Sequence, residues 1–235
     1  MPVEWDVYEV EIEFVKPVVG GIPKSKDVLA AWVESRARKK GKTPEEIQKL
    51  IEKIHGEVYI SEDELEGEID KITEKVWLTF KADREGLYLE DRNIKAMLRE
   101  AATTMDLFRG SGSTRRKQRF QHGLTIRPYR IRFYRDGKVI KDPEDTQDRP
   151  VIIEYWGQTM AALRREDLVL PGARMKFYIC VYAGGDQPIK KEHIEDMMDL
   201  AQEMGLGAAR SQGFGKFRVV RISGPKRMTT RELPE

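Results

Sequence analysis

The first patterned run in the chain is Tyr8, Val10, Ile12 and Phe14 set against Glu9, Glu11 and Glu13. A period of two predicts a half-buried strand with a charged outer face. Lys16-Pro17 and Gly20-Gly21-Ile22-Pro23 stop and turn it. Asp27 can cap a helix running to about Arg38, and a second helix is expected from Thr43, a suitable cap followed by Pro44 at the permitted first position. Val76, Leu78 and Phe80 alternate again, and Leu87 and Leu89 are expected to follow across an Asp83–Gly86 turn as a hairpin. Asp91 then caps a helix with Ile94, Met97, Leu98 and Ala101 on one side. The stretch from Arg109 to Lys117 is rich in glycine and short of apolar residues, so it reads as a mobile basic loop.

Further on, Leu124, Ile126, Ile131 and Phe133 fit a strand interrupted at Pro128, and Asp136-Gly137 makes a hairpin turn. Val151–Trp156 and Met175–Tyr182 are nearly unbroken apolar runs, as interior strands are. Gln158–Arg165 is a short candidate helix between them. Asp186-Gln187-Pro188 opens a helix with Ile194, Met197, Ala201 and Met204 inward, and Gly205 ends it. Phe217–Ile222 is the closing strand, and the polar tail from Gly224 is expected to fray. The predicted class is α+β, with ferredoxin-like antiparallel sheets carrying helices on one face. Two arrangements satisfy this order. One has two halves, 1–135 with a helical insertion at 26–72 and 136–235 with a glycine-rich loop at 205–215. The other has a single such unit with a large insertion.

Composition narrows the chemistry. Of the 235 residues 35% are charged and 40% hydrophobic, which is charge-rich but globular, and no apolar run is long enough to cross a membrane. The opening residues have no signal-peptide character. The single cysteine, Cys180, and three histidines exclude an internal disulfide and a common zinc site. A cytoplasmic protein without metal or other cofactor is expected. Charge is unevenly spread. Thr43–Ile72 holds ten acids against three bases, the pattern of a solvated helix face. Arg109–Lys141 holds eleven bases against one acid, with Phe120, Tyr129, Phe133 and Tyr134 among them. Guanidinium groups track phosphates while aromatic faces stack bases, a combination suited to single-stranded nucleic acid.

The segment Gly205-Leu206-Gly207-Ala208-Ala209-Arg210-Ser211-Gln212-Gly213-Phe214-Gly215-Lys216 places four glycines in eleven residues between a helix and a strand. A helix cap accounts for Gly205 but not for Gly213 and Gly215. Such a loop can come close to another backbone and present N–H groups to a phosphate. It is neither a dinucleotide fingerprint, whose strand-then-helix order is reversed here, nor a Walker loop, since Phe217 follows Gly215-Lys216.

Gly-Leu-Gly, five residues, then Gly-Phe-Gly after an amphipathic helix resembles the glycine-rich loop of the RAMP superfamily, the repeat-associated RNA-binding and repeat-cleaving proteins of CRISPR systems. The resemblance is close over about 35 residues, Ile189 to Ile222, and otherwise extends only to element order. Val18-Val19-Gly20-Gly21-Ile22-Pro23-Lys24 also resembles phage-encoded proteins with the same terminal loop. The resemblance implies one or two ferredoxin-like domains and a glycine loop lying against RNA.

On this reading Arg115, Arg116, Lys117 and Arg119 form a phosphate clamp, Arg127, Arg130 and Arg132 line a strand face, and Phe120 or Tyr129 stacks a base. Gly207, Gly213 and Gly215 let the loop close over the backbone, with charge from Arg210 and Lys216, hydrogen bonds from Ser211 and Gln212, and Phe214 packed inward. The expected partner is single-stranded RNA or DNA, bound without cutting. Two alternatives stand beside it. One is a metal-independent endoribonuclease with His122 as general acid or base, although the relatives carry their histidine near the first helix and this chain does not. The other is an assembly subunit whose basic face meets an acidic protein, a ribonucleoprotein neighbour or a second copy.

Overall fold

The computed structural model describes residues 3–24, 29–30, 33, 43–58, 76–107, 113–155, 158–184 and 189–235, without the side chains of 76, 113, 115, 116, 119 and 151–162. The chain opens with strands β1 (Glu4–Phe14), β2 (Val18–Val19) and β3 (Ile22–Pro23), then helix α1 (Pro44–His55). Strands β4 (Val76–Thr79), β5 (Lys81–Asp83) and β6 (Gly86–Glu90) lead into helices α2 (Asp91–Thr104) and α3 (Ser113–Gly123). Next come β7 (Leu124–Arg127), β8 (Arg130–Arg132), β9 (Tyr134–Arg135) and β10 (Lys138–Val139). The chain continues with β11 (Asp145–Tyr155), β12 (Gln158–Val169), β13 (Arg174–Tyr182), α4 (Lys191–Met204) and β14 (Phe217–Thr229).

These elements form two compact units that interleave along the chain. Unit 1 holds Met1–Val18, Tyr88–Lys138 and Leu170–Glu235, and unit 2 holds Val19–Leu87 and Val139–Val169. The units interleave rather than divide at 135/136, and among the described residues the ferredoxin-like order occurs once. In unit 1 the strands β9, β13, β1 and β14 lie side by side in that order, and β7 also pairs with β13. The pairs of β1 with β13, β1 with β14 and β13 with β7 are all antiparallel. Helices α2 and α4 pack on each other, α4 against β14 and α2 against β7. The reason is the apolar row foreseen in β1: Val10, Ile12 and Phe14 are wholly buried, together with Met175, Phe177 and Ile179 of β13 and Ile94, Leu98, Ile194 and Met197 of the two helices. Phe14 is the hinge of this core, with its ring 5.8 Å from that of Phe133 and 6.2 Å from that of Phe217.

The other β1 row, Glu9, Glu11 and Glu13, meets cations from both neighbouring strands. Arg174 of β13 binds Glu11 at 3.2 Å and Glu13 at 2.7 Å, while Arg218 and Arg221 of β14 bind Glu13 and Glu9 at 2.6 Å each. Opposite charges facing each other across strands support the sheet as they neutralise it. Beyond Gly224 the chain does not fray. It stays paired with β1 from Val7↔Lys226 to Glu4↔Thr229 after a register shift, and Arg227 is held by Glu4 and Asp6.

Two other segments depart from the expectation. The residues read as a mobile loop form α3 from Ser113 onward, while 109–112 lie outside the described residues. Arg, Lys and Gln are good helix formers, Phe120 is buried and anchors the helix, and Lys95 Nζ donates to the Gln121 and Leu124 carbonyls at its end, at 2.9 and 2.6 Å. The candidate helix Gln158–Arg165 is instead the start of β12, paired residue for residue with β11 from Tyr155↔Gln158 to Asp145↔Leu168. A continuous partner strand overrides the local helical preference of Met160-Ala161-Ala162-Leu163.

Unit 2 carries the sheet β11-β12-β4-β3, in which β12 and β4 run parallel. Two adjacent buried carboxylates of β12 organise it. Asp167 accepts from Trp77 Nε1 at 2.7 Å and Thr79 Oγ1 at 2.6 Å, and Glu166 takes Gln147, Arg149 and Arg164. Helix α1 begins as expected, with Thr43 and Glu46 forming a capping box and Pro44 in the first turn. Its Ile47 and Ile51 bury against Leu29, Val33 and Val58, and its glutamates face solvent. Most of the helix expected from Asp27 to Arg38, and 59–72 of the acidic block, lie outside the described residues.

Partial burial alone would push the Glu13 carboxyl up, but the hydrogen bonds and charges of Arg174 and Arg218 outweigh it and hold it below the usual 4.5. A depressed carboxyl stabilises the fold above its unfolded value, and the contribution is lost as pH falls through the folded value. The urea midpoint of the wild type should therefore fall as pH drops from about 5 towards 2. Glu13→Gln should be less stable at neutral pH and show a flatter profile, and parallel profiles for the two proteins would refute this account.

Candidate nucleic-acid interface

The basic stretch folds around a corner between β7 and β8 in unit 1. Tyr129, at its tip, is 46% exposed, yet it is not loose. Its hydroxyl donates to Glu90 Oε1 at 2.5 Å, and its carbonyl accepts the Asp91 N–H at 3.0 Å. Glu90 is itself buried, where it is ion-paired with Arg92 and receives its position at the start of α2 from an N–H bond to Asn93 Oδ1. The ring of Tyr129 is thus presented to solvent by an anchored hydroxyl, between Arg127 and Arg130, which are both exposed. Arg130 and Arg132 lie over the buried Tyr88 ring at 5.2 and 5.5 Å.

The predicted residues separate accordingly. Phe120 is 1% exposed, so it is a core anchor and not a stacking platform. Arg132 is 9% exposed and packed on Tyr88, so it does not line an open face. Lys117 and His122 are exposed on α3, and the side chains of Arg115, Arg116 and Arg119 lie outside the described residues. His193 caps α4, its Nδ1 accepting the Lys190 N–H at 3.1 Å. Among the described residues no group of three or more His, Cys, Asp or Glu side chains is placed to hold a metal. Burial pushes the Cys180 thiol up to about 11, which leaves it a poor nucleophile.

The glycine loop is closed by its backbone. Leu206 N–H donates to the Gly215 carbonyl at 2.9 Å, and Gly215 N–H donates to Pro17 at 2.8 Å. Gln212 and Gly213 N–H close a short 3-10 turn over Arg210–Gln212 by bonding to Ala209 and Arg210. Those four N–H groups are consumed within the chain, so they cannot cradle a phosphate as the sequence suggested. Gly215, at φ +70°, is where the stem strands touch: a Cβ there would sit 1.8 Å from the Leu206 oxygen. Gly207 and Gly213 also take positive φ, at +94° and +86°. Ser211 and Gln212 are exposed at the apex, and Phe214 is half-buried. Both cations are engaged: Arg210 by Glu100 of α2 at 2.9 Å and Lys216 by Glu203 of α4 at 2.5 Å.

Sequence reasoning missed Glu90, Lys95 and Glu100, which join these parts from a single helix and its cap. The only sign of them in sequence is polar residues spaced by five on the helix that follows Glu90.

No family model and no curated protein matches the chain. Among solved structures, a chain of the cryo-EM structure of the Type III-B Cmr-beta bound to cognate target RNA aligns over 95% of this chain, with a TM-score of 0.50 and 14% identity. The likeness is one of fold. It covers the ferredoxin-like unit and its insertions, and this chain spans 61% of that chain's length. Among the described residues no helix is long and apolar enough to cross a membrane.

Gly215→Ala should cost about 3 kcal/mol or more, because the Leu206 carbonyl cannot yield without opening the stem. Gly213→Ala has open space around its Cβ and should cost only about 1–2 kcal/mol for its backbone conformation. Urea midpoints of the two variants test the order, and equal losses would remove the stem contact as the loop's main constraint.

Proposed function

We propose that the chain binds single-stranded nucleic acid, RNA in the first instance, without cutting it, as a subunit of a ribonucleoprotein. The observation that carries this reading is the Tyr129 corner: an exposed aromatic ring fixed by Glu90 and flanked by exposed Arg127 and Arg130. A preset ring offers a base a stacking face at little ordering cost, and flanking guanidinium groups take adjacent phosphates. Lys117, exposed on α3, extends the positive surface, and Ser211 and Gln212 at the loop apex supply hydrogen bonds. The RNA-bound state of the structurally similar chain's complex supports the choice of RNA. His122 is a backbone-tracking residue on this reading rather than an acid or base.

The test is fluorescence anisotropy with labelled single-stranded RNA and DNA at two salt concentrations in EDTA, each sample then run on a denaturing gel. Binding should weaken as salt rises, because each neutralised phosphate releases counterions, and the oligomers should stay intact. Tyr129→Ala should weaken binding by about 1–3 kcal/mol, the usual worth of one stacked base. Shortened RNA, lost on His122→Ala, would replace binding with cleavage, and no binding at low salt would leave the assembly-subunit reading.

A further inference from the structure

We infer that Glu100 and Glu203 set how tightly, and for which anions, the glycine loop binds, since each carboxylate occupies a loop cation that a phosphate has to take. The inference rests on the nucleic-acid reading above and deepens it. Three observations carry it. The two pairs are independent, Glu100 coming from α2 to Arg210 and Glu203 from α4 to Lys216. In both, the acid is the more exposed partner: the side chain of Glu100 is 49% exposed against 32% for Arg210, and that of Glu203 is 75% exposed against 35% for Lys216. Each carboxylate is therefore open to solvent and each cation partly covered, so a phosphate that takes the cation has to replace the carboxylate. Finally, both acids stand near the C-terminal ends of helices that have no basic residue in the last turn. A helix end of that polarity disfavours a carboxylate, so the helices alone give no reason for acids there, while the loop cations do.

The backbone closure keeps Arg210 and Lys216 on a fixed stem, so a ligand meets them already paired. Binding is then an exchange of phosphate for carboxylate. A single monovalent anion gains little by that exchange. A polynucleotide, offering phosphates in series along a strand already held at the Tyr129 corner, can displace both. Each carboxylate set free gathers a salt cation, which offsets one released from the nucleic acid and makes the salt dependence shallower than the number of loop cations implies.

The experiment is an anisotropy titration of the full chain with labelled single-stranded RNA across salt concentrations. It compares wild type, Glu100→Gln, Glu203→Gln, Arg210→Ala, the double variant Glu100→Gln/Arg210→Ala, and Glu192→Gln. Each unmasking variant should tighten binding about two- to fivefold, the range an exposed ion pair allows, and steepen the salt slope by about 0.7. Glu192→Gln changes net charge equally but lies about 16 Å along α4 from Glu203, beyond the screening length, and should leave binding unchanged. The Glu100→Gln gain should vanish when Arg210 is absent. Tightening confined to the two unmasking variants, including binding seen only in them, supports the inference. If wild type binds but Glu100→Gln and Glu203→Gln do not tighten it, or Glu192→Gln tightens it as much, or the gain survives without Arg210, the inference is overturned and the proposed function stands. If neither wild type nor any glutamine variant binds, both fall.

Discussion

A strand inside a sheet has to be hydrogen-bonded along both edges, and β1 meets that condition only with strands made at the far end of the chain. Its Glu13 is 161 residues from Arg174 and 205 from Arg218, yet both are its neighbours. The other features of unit 1 follow. Whatever lies between must leave the sheet and return to it, so the second unit is threaded as two insertions and the ferredoxin-like order is spread from β1 to β14. The two faces of β1 divide the labour: the apolar row builds the core beneath α2 and α4, and the acidic row draws in the arginines of the flanking strands.

Within that frame α2 is the element on which the candidate interface depends. Its cap residue, Glu90, pins the Tyr129 hydroxyl, Lys95 ties off the end of α3, and Glu100 holds Arg210 of the glycine loop. Successive steps of five residues turn a helix by about 140°, so one rigid helix reaches three separate structures from three sides. Its buried stripe of Ile94, Met97, Leu98 and Ala101 fixes it to the sheet and leaves those polar positions free to organise the surface.

The sequence was most legible where a backbone constraint or a simple period writes itself into residue type. The two-residue period of β1, the Thr43-Pro44 helix start and the paired glycines of the loop are all of that kind. Gly215 is glycine because the Leu206 carbonyl leaves no room for a side chain, and that need is visible without coordinates. Helix α3 was hidden because a single apolar anchor, Phe120, gives no stripe, and its far end is satisfied by a lysine from another helix. Strand β12 was hidden because its state is decided by β11 and not by its own residues. The partners of Tyr129 and Arg210 are ordinary helix carboxylates whose roles exist only once the chain is folded. Phe120 and Arg132 mark the same limit from the other side, since a basic or aromatic residue in a basic run does not reveal whether it faces solvent or core.

The acidic row on β1 has a further consequence when the order of synthesis is considered. β1 is made well before β13 and β14 and has to wait for them, so its edges stay unpaired through the synthesis of all that lies between. An unpaired strand edge is a template for the wrong pairing, and growing or partly folded chains are most exposed to it. Two waiting copies of β1 would bring glutamate against glutamate, a juxtaposition that disfavours pairing. The arginines that finally neutralise Glu9, Glu11 and Glu13 arrive only with the correct strands, so the same charges that discourage association between nascent chains become cross-strand contacts in the finished sheet.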